Sequence, residues 1–358
     1  MEHEVTGLDR YELRRSDPSL DEDEEAVRAA FARFFARECP PEAVRAAEPL
    51  GFDRALWERL VGLGITTMGL PEELGGDDAT LASLVLIAEE WGRRVAPLPL
   101  ASHVAATRLL GRTTVPANQP AGPLEAAKRG DRIYALALSP AVRGVPQLVP
   151  EAAVAAGVIA LAGDQLTLFT AAAPATHAPN QGSTPLAWWQ PDEAAETVTL
   201  ASGPDASAAY ELAVTEWKLL QAAALVGLAE AALLLGVEFA KTRETMGVPI
   251  GTLQGVAHPL ADAAIEIAGA RVLVRKAAWT LEREPGTRPE LPLMAFDVAR
   301  RAATLSTTTT VHVQGGLGFT VEADASLYFL RAKGWSALAG DPAADLTRIG
   351  ARLVARVG

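Results

Sequence analysis

Two short stretches carry the residue types and spacing that suit chemistry on phosphate. In the first, Lys241 to Trp279, Arg243 stands near the end of one predicted helix. The turn Gly247-Val248-Pro249-Ile250-Gly251 follows it, then Gln254, His258 and a second long helix. A guanidinium at a helix end pairs phosphate oxygens bidentately through its planar fork. In the second, Thr310 to Thr320, His312 precedes Gly315, Gly316 and Gly318 where a helix ends. Glycines there let backbone N–H groups approach an anion closely, although a helix C-cap uses the same residues. For proton chemistry the carboxylates of interest are Glu216 and Asp341. Asp341 precedes Pro342 and an amphipathic helix, the pattern of an N-cap followed by proline at the first helical position.

The elements that position these residues are legible from periodicity. The first helix of the pair ends near Met246, and Pro249 with its flanking glycines reverses the chain. Pro259 belongs to a first helical turn, so the second helix begins just before Leu260. Leu260, Ala264, Ile267, Val274 and Ala278 then form one apolar stripe, broken by Arg271. Further helices are expected near 208–243, 257–284, 290–312 and 321–331, with a last one from 342.

The first stretch resembles the acyl-CoA dehydrogenase signature R-x-x-F-G-x-x-I-x-x-F-Q-x-V-x-H-x-L-A-D. Here it reads Arg243, Met246, Gly247, Ile250, Leu253, Gln254, Val256, His258, Leu260, Ala261 and Asp262, with the two phenylalanines replaced by Met246 and Leu253. The second resembles the family's Q-x-x-G-G-x-G-F, its Gln falling on His312. The resemblance implies that Arg243, Met246, Gln254, His312, Gly315 and Gly316 reach FAD held largely by a neighbouring subunit. Upstream, Gly69 to Gly76 and then Glu89 to Arg93 resemble the family's G-x-P-x-x-x-G-G loop and E-x-x-G-R.

The family removes an α-proton from an acyl-CoA thioester while a β-hydride passes to flavin. A weakly acidic carbon needs a carboxylate of raised pKa in a dry pocket. At the two places where the family sets that glutamate, this chain has Ala339 and Trp217. Neither takes a proton. Glu216 is one residue off register, a rotation of about 100° on a helix. The family's T-E-x-x-x-G-S-D flavin loop is also missing, since the strand through Tyr134–Leu138 passes almost directly to Val149-Pro150-Glu151-Ala152. These losses together resemble the non-catalytic subunit of heteromeric, α2β2 acyl-CoA dehydrogenases of actinobacterial sterol side-chain degradation. Such a chain completes a partner's FAD site. The alternatives are a self-sufficient dehydrogenase using Glu216 or Asp341, and a flavin-free structural homologue.

Composition agrees with that class. The 358 residues suffice for two or three domains, and 49% hydrophobic content supplies their cores. A net charge of −12 argues against nucleic acid. Cys39 is the one cysteine, so no intrachain disulfide or cysteine zinc site forms and a reducing compartment is expected. The polar, acidic start lacks a signal-peptide core. Leu219 to Val237 is apolar but carries Gln221 and Glu230, which suits a buried helix better than a membrane span. A cytoplasmic protein is expected. The expected architecture is α+β and multidomain: a flexible arm over 1–20, an N-terminal α-helical domain over 21–111, a truncated middle β-domain over 112–205 and a C-terminal four-helix bundle over 206–358. Within the β-domain, strands are expected at Arg132–Leu138, Val158–Leu161, Gln165–Phe169 and Thr197–Leu200, and Trp188-Trp189 is read as packing. Lys218 and Arg331 read as solvated surface charges, with phosphate contact as the alternative.

Overall fold

The computed structural model describes Asp17 and residues 19–113, 122–171 and 174–357. The expected N-terminal arm therefore lies outside the described residues, apart from Asp17, Ser19 and Leu20.

Among the described residues five α-helices come first: α1 (Glu22–Glu38), α2 (Pro41–Ala46), α3 (Arg54–Val61), α4 (Leu81–Arg93) and α5 (Leu100–Arg112). Asp21 and Glu24 exchange side-chain bonds with each other's backbone N–H, a capping box that fixes the start of α1. Phe31, Phe34 and Phe35 then turn inward. Asp53 caps α3 through the Leu56 N–H at 3.0 Å. α4 lies against the first helix of the C-terminal domain so closely that glycine is required on both sides. A Cβ on Gly92 would sit 1.9 Å from the Ala224 carbonyl oxygen, and one on Gly227 would sit 1.8 Å from that of Glu89.

After the short helix α6 (Pro123–Lys128) come the strands β1 (Tyr134–Leu136), β2 (Gln147–Val149), β3 (Gly157–Ala162), β4 (Gln165–Thr170), β5 (Ala187–Trp189) and β6 (Glu196–Ser202). Four form one sheet in the order β1-β3-β4-β6, and β2 pairs with β5. The β1–β3 contact is parallel and the others are antiparallel. Trp189 packs edge-on to Phe169 at 5.4 Å between ring centroids, as expected for a packing residue, whereas Trp188 is largely exposed.

The C-terminal part holds α7 (Gly203–Thr242), α8 (Gln254–Arg283), α9 (Leu291–Gln314), α10 (Asp324–Ala337) and α11 (Pro342–Val357), with a two-residue hairpin of β7 (Glu244–Thr245) and β8 (Val248–Pro249) between α7 and α8. α7 is long and apolar enough to cross a membrane, but 72% of its most apolar stretch is buried in this protein. Ser306 and Thr310 on α9 donate to the carbonyls of Ala229 and Ala232 on α7, which locks the two helices side by side.

Three local expectations are corrected. α7 ends at Thr242 rather than near Met246, because Met246 and Gly247 take φ of 51° and 80° and close the β7–β8 turn. α8 starts at Gln254, so Pro259 lies in the second turn. The Val256 and Ala257 N–H groups both bond the Leu253 carbonyl at 2.9 Å and begin the helix ahead of the proline. The buried stripe of α8 runs through Leu260, Ala263, Ile267, Ala270 and Val274, which leaves Ala264 exposed.

Candidate functional site

The six residues expected at a neighbour's cofactor share one end of the helical bundle. α7 and α8 meet there through the hairpin, and α9 finishes beside them, since a Cβ on Gly236 of α7 would lie 2.9 Å from Thr310 Oγ1 and 3.2 Å from Leu260 of α8. Arg243 is the C-cap of α7. Its N–H donates to the Phe239 carbonyl and its carbonyl accepts from the Ile250 N–H, both at 2.8 Å, while its side chain is exposed. Met246 at the hairpin tip is 95% exposed. Gln254 opens α8 and is exposed. His312 is exposed near the end of α9, and its carbonyl accepts the Gly315 N–H. Gly315 and Gly316 face open space, with nothing within 4 Å of where a Cβ would stand. All six point away from the chain's own interior. Their chemistry suits an anionic group brought by another molecule.

The two positions where the resemblance sets a catalytic glutamate lie far apart in sequence, and a neighbour of each lines one small space. Leu338, next to Ala339, and Gln221, one turn beyond Trp217 on α7, line a cavity of about 10 Å³ at the junction of the three parts of the chain. Glu151, Thr184, Trp91 and Trp335 complete its wall. That is room for about one water molecule, against the several hundred cubic ångströms of a small-molecule site. Trp217 is fully buried, and its Nε1 donates to Ser102 Oγ at 3.0 Å. The segment around Ser183 seals the junction. A Cβ on Gly51 would fall 1.7 Å from the Ser183 carbonyl oxygen, and one on Gly334 would fall 2.3 Å from the Gly182 Cα. That cavity has no room for an isoalloxazine or an acyl chain; a separate, open cavity of about 650 Å³ lies on the other side of α10, lined by Ala337 and Gly340 next to Ala339. Ten residues, 137–146, join β1 to β2, leaving no long flavin loop between them.

Glu151 is the one titratable residue of this junction that the sequence reading did not single out. It is held at φ 60°, buried, and hydrogen-bonded by the Ser102 hydroxyl; burial pushes its carboxyl up to about 7. The available signal was a single acid in the apolar run from Leu148 to Ala162, too weak to single it out.

The two acids considered as substitutes for the base hold other partners. Glu216 is buried and accepts from Arg108 Nη2 at 3.0 Å, Arg108 Nε at 3.1 Å and Arg112 Nη1 at 2.9 Å. Arg108 continues to Glu282 and to the Gly69 carbonyl, so Glu216 ties α5, α7 and α8 together. It does not line the cavity. Asp341 is exposed and accepts the Ala343 N–H at 2.9 Å, the geometry of a cap on α11.

Two charged residues are corrected. Lys218 is buried rather than solvated, with Nζ 2.6 Å from both carboxylate oxygens of Asp345 on α11; burial outweighs that partner and lowers its pKa. Arg331 is buried as well and pairs with Glu48 at 2.7 Å. Sequence reasoning assigned both to solvent because a lone cation on a helix face usually is solvated. Only the fold brings Asp345 and Glu48 to them.

Two family descriptions match the chain: acyl-CoA dehydrogenase, N-terminal domain, over residues 21–115, and acyl-CoA dehydrogenase, C-terminal domain, over residues 212–354. A similar curated protein, acyl-CoA dehydrogenase IpdE2 of Mycobacterium tuberculosis, is 32% identical over 331 residues, covering 92% of this chain and 96% of that protein. Among solved structures, the ChsE4-ChsE5 complex from Mycobacterium tuberculosis contains a chain similar to this one with a TM-score of 0.81 and 27% identity, covering 94% of this chain and 99% of that one. A variant of the Tcur3481-Tcur3483 steroid ACAD aligns with a TM-score of 0.83 and 27% identity, covering 94% and 99%.

Proposed function

The chain belongs to the acyl-CoA dehydrogenase family, and we propose that it serves there as a non-catalytic subunit that completes the FAD site of a flavin-holding partner. The observation that carries this reading is the pairing of base positions that hold no proton acceptor with an open end of the bundle. Trp217 and Ala339 stand at the base positions, and neither side chain takes a proton. Arg243, Gln254 and the Gly315-Gly316 loop stand exposed where a second chain can reach them.

FAD, when bound by the partner, supplies the hydride acceptor for α,β-dehydrogenation of an acyl-CoA thioester. This chain's part is positional. The Arg243 guanidinium would pair phosphate oxygens of the cofactor, the Gln254 amide and the backbone N–H groups at Gly315 and Gly316 would add donors, and Met246 and His312 would complete this chain's share of the site. No proton moves to a residue of this chain. Glu216 and Asp341 are held by Arg108, Arg112 and the start of α11, which disfavours a self-sufficient enzyme using either acid.

Exposed apolar residues crowd the same end: Leu317 at 56%, Phe319 at 73% and Val321 at 82% join Met246 at 95%. An apolar cluster of this kind on a bundle end marks an interaction surface. Similarity to a chain of the ChsE4-ChsE5 complex supports assembly with a second chain, which this reading makes a cytoplasmic α2β2 complex, and similarity to the steroid ACAD supports a steroid substrate, read here as a side-chain thioester. The test is a visible spectrum of the chain purified alone and after co-expression with candidate dehydrogenase chains of its own genome. A colourless chain that becomes part of a yellow, active tetramer is the expected result. Yellow protein reducible by an acyl-CoA in the absence of any partner would overturn the proposal.

A further inference from the structure

Arg301, Leu305 and Thr308 share one face of α9, and Lys333, Ala337 and Gly340 carry the same spacing along α10 and into the turn after it. Between these two stripes lies the open cavity of about 650 Å³. Its size matches the several hundred cubic ångströms of a small-molecule site. Small residues keep the helices from filling it. Ala337 contributes one carbon, and a Cβ on Gly340, held at φ 84°, would meet nothing within 4 Å.

The charge of this wall is opposite to that of the chain. Arg300, Arg301 and Lys333 all line the cavity. Arg300 is buried, and among the described residues its guanidinium, with five N–H donors, has one acceptor, Asp297 Oδ1 at 2.5 Å. Arg301 shares that carboxylate, Nε to Oδ2 at 3.3 Å, and its side chain is 67% exposed. Lys333 makes no ion pair among the described residues; its Nζ lies 5.4 Å from the Phe329 ring centroid. Three cations against one carboxylate leave an excess of two positive charges, in a chain whose net charge is −12. The neighbouring acids do not cancel it, since Asp341 holds the Ala343 N–H and Asp345 holds Lys218. Ser336 also lines the cavity, and its Oγ is buried without a hydrogen-bond partner. A buried cation and an unpartnered hydroxyl beside aliphatic carbon suit a ligand that brings a charged oxygen with an apolar body behind it.

We propose that this cavity binds an amphiphilic anion, a carboxylate or phosphate ester carried on an apolar body. The head pairs with Arg300, Arg301 and Lys333 and accepts from Ser336 Oγ. The body lies against Leu305, Ala337 and the methyl groups of Thr304 and Thr308. None of the residues assigned to the cofactor-facing end lines the cavity, so the site stands or falls apart from the non-catalytic-subunit reading.

The experiment is isothermal titration calorimetry of the full chain with decanoate and decyl phosphate, each below its micelle concentration. Acetate and inorganic phosphate serve as heads without a body, and decanol as a body without charge. The expected result is one site per chain for at least one amphiphile, bound about tenfold or more tighter than acetate, inorganic phosphate or decanol. Arg301→Gln with Lys333→Gln, both at exposed positions, should weaken that binding by about tenfold or more. Thr308→Trp, which fills the cavity from an exposed position, should remove it, while Arg37→Gln on α1 leaves it unchanged. Absence of saturable binding by both amphiphiles, or binding untouched by the two cavity variants, overturns the proposal. Decanol binding as tightly as the amphiphiles overturns the anionic head, and inorganic phosphate binding as tightly as decyl phosphate overturns the apolar body. A preference for decanoate or for decyl phosphate supports the site and identifies the head it takes.

Discussion

The indole of Trp217 donates to Ser102 Oγ at 3.0 Å, and Ser102 in turn donates to Glu151. A side chain standing at a base position of the family is thereby linked, through one hydroxyl, to a buried carboxyl from the middle of the chain. The linkage has a pH signature. An ordinary glutamate titrates at 4.5, whereas Glu151 in the fold holds its proton up to about 7. Between those values the unfolded chain has lost a proton that the folded chain keeps, so stability falls as pH rises through the window, by about 3 kcal/mol in all. Glu151→Gln should abolish that fall and gain on the natural protein at pH above 7. Urea midpoints of the two proteins at matched pH give the measurement. His103, lowered to about 4 by complete burial, acts in the opposite sense, losing stability as pH drops below its ordinary 6.5, and cancels in the comparison.

Glu216→Gln is expected to cost stability of about 3 kcal/mol, because it leaves the buried Arg108 guanidinium short of a charged partner. The thermal midpoint of the assembled complex should fall, while turnover per folded complex stays near that of the natural protein. A lost turnover at unchanged stability would instead return Glu216 to the list of bases.

Asp341→Asn tests the other acid. Asparagine caps a helix about as well as aspartate, so both stability and turnover should remain nearly intact. A large turnover loss, read by dye reduction with an acyl-CoA, would assign Asp341 to the chemistry.

Arg243→Ala should weaken FAD retention by the complex without unfolding this chain, because the Arg243 side chain is exposed and its structural bonds are backbone bonds. Flavin lost during gel filtration, followed at the flavin absorbance band, is the readout. Retention equal to that of the natural complex would remove Arg243 from the cofactor site.

Gly334→Ala places a Cβ 2.3 Å from Gly182 Cα, a backbone atom that has no rotamer through which to yield. A destabilisation of about 2 kcal/mol or more is expected from overpacking of that kind. Gly316→Ala is the control, since its added carbon meets nothing within 4 Å. Thermal midpoints of the two variants should separate clearly.

Much of this protein was legible before any coordinates. The helical N- and C-terminal parts, the strands β1, β3, β4 and β6 and the chain reversal between α7 and α8 follow from periodicity, capping residues and glycine placement, which are local. The absence of a proton acceptor at 217 and 339 follows from residue identity alone, because alanine and tryptophan offer none. The partners of Lys218, Arg331 and Glu216 were not legible. Each lies far along the chain, and sequence carries no record of which distant charge a buried one will meet. Nor did sequence place Glu151 beside Gln221, or reveal that Gln221 and Leu338 line a single small cavity. Those are consequences of three chain segments converging on Gly51, Gly182 and Gly334, where backbone meets backbone. Local spacing determines which elements form and which chemistry is missing; the closing of the interior depends on distances between elements, and only the packed structure sets those.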